Sequence, residues 1–138
     1  MVVDASVGVA AFLAHDSHHE EAAGFLRKMV EDGVPVMAPL LVLPEVAGAV
    51  GRQTASTVLA DKTITFLRAQ PWLQMAPLND AIALMAASIA AQQRLRGADA
   101  VYVALAAQGD GILITLDREM LTRAPPSVRA VTPSEWLK

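Results

Sequence analysis

The chain has 138 residues, which suits one domain with a proper core and is short for two. It is 54% hydrophobic, 4% aromatic and free of cysteine, which excludes a disordered chain, disulfides and thiolate metal sites. A formal net charge of −3 makes the average surface repel polyanions, so a nucleic-acid partner would have to be held by local basic residues. No apolar run approaches the roughly 18 to 20 residues needed to span a bilayer, and the N-terminus lacks a basic leader region, so the expected location is cytoplasmic.

Met1 to Asp4 is a short β-branched run ending in Asp-Ala-Ser, the pattern of a buried strand feeding a helix, and Val7 to Leu13 continues as an apolar helix. Because Met1 leaves almost no chain ahead of that strand, fraying is expected there. HDSHH breaks the helix. Glu20 to Glu31 then places Ala22, Phe25, Leu26, Met29 and Val30 on one face of a second helix, stopped by Asp32 and Gly33. Val34 to Ala38 reads as a strand, moved towards a sheet edge by Pro35, and Pro39 opens a helix to about Gln53. Thr57 to Arg68 is a further helix and Leu73 to Met75 a third strand. Asn79 caps an alanine-rich helix to Gln93, and Gly97 leads into an apolar helix from Ala98 to Gln108. Ile112 to Thr115 and Val128 to Val131 are strands four and five, separated by a short helix from Arg118 to Thr122 and a Pro125-Pro126 turn. Alternating strands and helices predict an α/β domain over residues 1–138, with a mostly parallel sheet of four to five strands and helices on both faces.

Asp4, Glu45, Asp99 and Asp117 each sit where an apolar segment begins or ends. Carboxylates are kept out of apolar surroundings unless paired, and several converging on one pocket repel unless a cation neutralises them, so the pattern points to a divalent-metal site. In a doubly wound sheet, ligands bind beyond the carboxyl ends of the strands where strand order reverses. If the first and fourth strands are neighbours there, Asp4 and Asp117 project into one crevice. Asp99 lies in the first turn of its helix, where free N–H groups favour the ionised form. Glu45 follows Pro44, which either kinks a helix begun at Pro39 or opens one near itself. Taken singly, each acid reads more readily as a cap or a solvated group, and four in register change that balance.

DASV at the first strand, a Glu within an apolar helix about 40 residues on, GADAVYVALA, and TLD after an apolar strand together resemble the PIN-domain ribonucleases, above all the VapC toxins of toxin–antitoxin pairs. The resemblance runs over essentially the whole chain. GADAVYVALA is fairly specific alone; DAS and TLD are weak alone. It implies that Asp4, Glu45, Asp99 and Asp117 hold Mg²⁺ or Mn²⁺, with Ser6 and Thr115 supporting the site. Asp4 and Asp99 would be the principal ligands, Glu45 a ligand or water orienter, and Asp117 a second-site or outer-shell group. Such an ion keeps several waters, lowers the pKa of one and offsets charge on a phosphodiester. The implied activity is hydrolysis of RNA to 5′-phosphate and 3′-hydroxyl ends, by a toxin that a small antitoxin protein neutralises, with a homodimer as the assembly. Arg52, Arg94, Arg96 and Arg118 lie near the acidic motifs as candidate RNA contacts, against the alternative of solvated face residues. Helices Thr57 to Arg68 and Ala98 to Gln108 are candidate dimer faces.

Other readings carry less weight. His15, His18 and His19 with Asp16 and Glu20 are better read as a cap and turn than as a metal cluster. Tyr102 reads as a core residue whose hydroxyl reaches a polar rim, and Trp72 and Trp136 as packing edges rather than base-stacking platforms. Ser6 lacks the glycine elbow of a hydrolase nucleophile. It also stands where an aspartyl-phosphate phosphatase needs a second Asp. A non-catalytic binding module that keeps the acidic pocket is the remaining alternative.

Overall fold

The computed structural model describes residues 1–138. Its elements run β1 (Val2–Val3), α1 (Ala5–Phe12), α2 (His19–Glu31), β2 (Val36–Pro39), α3 (Val42–Thr54), α4 (Thr57–Arg68), β3 (Leu73–Ala76), α5 (Asp80–Gln93), α6 (Gly97–Gln108), β4 (Ile112–Ile114), α7 (Arg118–Arg123), β5 (Arg129–Val131) and α8 (Pro133–Trp136). The strands form one parallel sheet in the order β3-β2-β1-β4-β5. Strand order reverses between β1 and β4, where Val2 pairs with Leu113 and Val3 with Ile114.

Successive strand residues face opposite sides, so β1 serves two cores. Val2 joins the larger one, built with Val46 and Val50 of α3, Ile82 and Ala86 of α5 and most of α6. Val3 joins the smaller one with Ala22, Phe25 and Met29 of α2, against which Trp72 and Trp136 pack. Helices thus cover both faces. No helix is long and apolar enough to cross a membrane.

Several local expectations change. β1 is the central strand rather than a frayed end, and the Met1 carbonyl accepts from the Met37 N–H at 3.0 Å. β2 is interior, not an edge, because Pro35 precedes the first ladder residue and so removes no needed donor; Val36 N–H reaches Trp72 and Met37 N–H reaches Met1. Pro39 ends β2 instead of opening a helix. α3 begins at Val42, which puts Pro44 in a first turn whose N–H groups have no helical partner, and no kink is required. α6 is buried from Asp99 to Ala106 and offers no free dimer face, whereas α4 exposes Val58 and Phe66 and α5 exposes Leu84. Val30, expected on the buried face of α2, is about half exposed.

Candidate active site

The four acids come from four separate elements. Asp4 leaves β1 in an extended conformation and caps α1, accepting the Ser6 N–H at 3.3 Å. Asp117 follows β4 and caps α7, its Oδ1 accepting from the N–H groups of Glu119 at 2.8 Å and Met120 at 3.1 Å. Because β1 and β4 are adjacent and parallel, both caps stand at the same edge of the sheet. Asp99 in the first turn of α6 and Glu45 in the first turn of α3 complete the set. All four line one cavity of about 330 Å³, together with Ser6 and Arg96.

Two hydroxyls tie Asp4 to the neighbouring loop. Ser6 Oγ donates to Asp4 Oδ2 at 2.5 Å and accepts the Leu116 N–H at 3.1 Å. Thr115 Oγ1, fully buried, donates to the same oxygen at 3.0 Å and accepts the Asp117 N–H at 3.0 Å. The buried Tyr102 hydroxyl donates to Glu45 Oε2 at 2.5 Å. Arg96 bridges two acids, with Nε on Asp99 Oδ2 at 2.8 Å and Nη2 on Asp117 Oδ2 at 3.2 Å.

Burial dominates the electrostatics. It pushes the Asp4 carboxyl up to about 6, a rise that the Ser6 and Thr115 hydrogen bonds oppose and the nearby Glu45 charge reinforces. Glu45 is raised as well, mainly by desolvation and also by Asp99, against the Tyr102 hydrogen bond and Arg96. Tyr102 is held far above its ordinary range by burial and by the carboxylate beside it, so its hydroxyl remains a donor.

The donor set fits a hard dication. Every acid offers oxygen, which Mg²⁺ and Mn²⁺ prefer. Asp4, Glu45 and Asp99 each commit one carboxylate oxygen to protein donors and keep the other free of them, whereas Asp117 uses both. No three His, Asp or Glu side chains stand close enough together to hold an ion as they are placed.

The sequence profile of the PIN domain matches residues 1–125. The chain belongs to the PIN domain family. Solved structures share this fold at low identity. A toxin–antitoxin complex from Klebsiella pneumoniae is 19% identical, covering 96% of this chain and 96% of that one at a TM-score of 0.68. VapC20 of Mycobacterium tuberculosis, described as a sarcin–ricin loop cleaving toxin, is 18% identical, covering 93% and 98% at 0.73. FitAcB of Neisseria gonorrhoeae is 17% identical, covering 96% and 97% at 0.71. No curated protein sequence matches this chain.

Within this PIN domain the expected residues divide. Asp4, Glu45, Asp99, Asp117 and Ser6 line the cavity, and Thr115 stands directly behind Asp4. Of the four arginines, only Arg96 lines it. Arg94 closes α5 in a left-handed conformation, and its carbonyl accepts from Arg123. Arg52 lies back along α3 near Gly48, and Arg118 is exposed where α7 begins. Sequence reasoning missed the link from Tyr102 to Glu45, although the spacing from Asp99 puts Tyr102 on the same helical face. Asp16 and His18, read from the sequence as part of a cap and turn, and Gln53, which no pattern marked, also line the cavity.

Proposed function

We propose that this PIN domain is a metal-dependent endoribonuclease acting in the cytoplasm as the toxin of a toxin–antitoxin pair. The observation that carries this reading is the convergence of Asp4, Glu45, Asp99 and Asp117 on one cavity at the switch point, three of them with an oxygen free of protein donors. Family membership and the toxin–antitoxin neighbours support it.

Asp4, Glu45 and Asp99 would hold Mg²⁺ or Mn²⁺, and such an ion, when bound, activates water and offsets charge developing on a phosphodiester. The chain's own residues prepare that work. Ser6 and Thr115 fix one oxygen of Asp4, and Tyr102 fixes one of Glu45, so their remaining oxygens are limited to few orientations. Arg96, the cation at the mouth, is suited to an RNA phosphate, and Asp117 restrains it in the free protein. Ser6 Oγ is held between Asp4 and the Leu116 N–H, which suits a structural hydroxyl better than a nucleophile.

An apolar hollow of about 370 Å³, bounded by Phe12, Leu26, Val30, Phe66 and Trp72, lies between α2 and α4 at the end of α1 and is suited to apolar side chains of an antitoxin. The exposed Leu84 and Met85 on α5 would be covered by a second copy in a homodimer. The reading is tested by incubating purified protein with total RNA and Mn²⁺, beside EDTA and an Asp99→Asn variant. Discrete cuts with 5′-phosphate ends, absent in both controls, are expected. Metal binding without any cut would favour a non-catalytic binding module instead.

A further inference from the structure

The cavity is larger than its acidic floor requires. At about 30 Å³ per water, an ion with three or four remaining waters takes on the order of 100 Å³, well under half of the 330 Å³ available. The rest is bounded by the α1–α2 connection and the last turn of α3, and the chemistry proposed above uses none of it. Glu45, Ala49 and Gln53 follow one another along a single face of α3 and all line the cavity. At 1.5 Å per residue, Gln53 stands about 12 Å along the helix axis from Glu45, a separation suited to a nucleotide beside the reacting phosphate.

The groups on this wall are arranged for hydrogen bonding rather than for charge. His15 Nε2 lies 3.3 Å from Gln53 Oε1, which joins the connection to α3 and leaves the Gln53 NH₂ without a protein acceptor. Asp16 spends Oδ1 on the His18 N–H at 2.8 Å and keeps Oδ2 without a protein donor. His18 spends Nδ1 on Glu21 at 3.1 Å. A carboxylate such as Asp16 repels phosphate but accepts well from an amino group. Ala49, half-buried and between Glu45 and Gln53 on the same face of α3, offers a small apolar surface that a flat ring can cover, whereas the cavity-lining Val9 and Ala10 are buried.

We propose that this wall is a nucleobase subsite. The base beside the cut lies against Ala49, and its edge is read by the Gln53 amide as donor and the Asp16 carboxylate as acceptor. Adenine, cytosine and guanine each present an exocyclic amino donor next to a ring or carbonyl acceptor and satisfy both groups. Uracil presents its N–H beside a carbonyl oxygen and satisfies both groups as well, whereas uracil methylated at N3 has lost the donor that the carboxylate needs. The inference rests on the ribonuclease reading and names what its site selects.

The test compares kcat/KM with Mn²⁺ for RNAs that differ only at the nucleotides flanking a mapped cut, for wild type, Gln53→Ala and Asp16→Ala. Wild type should favour uracil over N3-methyluracil at one flanking position by about tenfold or more; Asp16→Ala, which removes the acceptor for that N–H, should bring the ratio towards one, and Gln53→Ala should lower kcat/KM on the uracil RNA. Mn²⁺ affinity, measured in parallel, should match wild type, which separates base reading from the metal site. Equal use of uracil and N3-methyluracil by wild type, or an unchanged ratio in Asp16→Ala, would overturn the subsite while leaving the nuclease intact. Loss of antitoxin binding with the base ratio unchanged would assign the wall to the partner protein and likewise overturn it. Absence of any metal-dependent cut by wild type would instead sink the ribonuclease reading on which the subsite depends.

Discussion

Burial of Asp4 has a thermodynamic consequence for the free protein. With its carboxyl raised from 3.8 to about 6, the native state holds a proton between those values that the unfolded chain has released. Stability therefore falls as pH rises through that window and stays lower above it, by about 3 kcal/mol at roughly 1.4 kcal/mol per pK unit. Asp4→Asn should accordingly be more stable than wild type at pH 7.5 in EDTA, by about 1–3 kcal/mol in urea unfolding, with the gain fading below about pH 4. Equal stability at pH 7.5 would mean that Asp4 is better solvated than its burial implies. Arg96 calls for a kinetic test, because its guanidinium is 70% exposed and its pairs with Asp99 and Asp117 add little stability. Arg96→Gln should lower kcat/KM for RNA and reduce the slope of log rate against log salt by about one, as loss of one phosphate contact does.

Among the elements, the turn between α6 and β4 is the one with least tolerance. Gly111 has φ of +74°, and a Cβ there would stand 2.8 Å from the Ser127 carbonyl, whose neighbour strand β5 pairs with β4. Gly111→Ala should cost about 1–3 kcal/mol in urea unfolding, combining left-handed strain with a clash against backbone. Elements with local signals were legible in the sequence. Asn79 caps the helix expected of it, and Asp4 and Asp117 take the cap that was the alternative reading of each acid, since a cap is a bond between a side chain and N–H groups two or three residues on. Pro35 and Pro39 misled because their effect depends on which ladder bonds the neighbouring strands request, and no local pattern states that.

For the whole molecule, the sheet order decides what the site contains. Asp4 and Asp117 could be expected together only on the condition that β1 and β4 are neighbours, and the sheet meets it. The bond from Tyr102 to Glu45 and the polar wall of Asp16 and Gln53 were not legible, because they depend on how α1, α3 and α6 pack, not on spacing within any one of them. The proposed homodimer predicts that Leu84→Glu, on a side chain 73% exposed, shifts the protein from dimer to monomer in light scattering without lowering its melting temperature. A wild-type protein that is already monomeric would remove that assembly. The most direct test of the carboxylate metal site is calorimetric titration of Mn²⁺ into wild type, Asp4→Asn and Asp99→Asn at pH 7.5. Saturable binding to wild type, weakened roughly tenfold or more in each variant, is the expected result; no binding, or equal binding to all three, would contradict it.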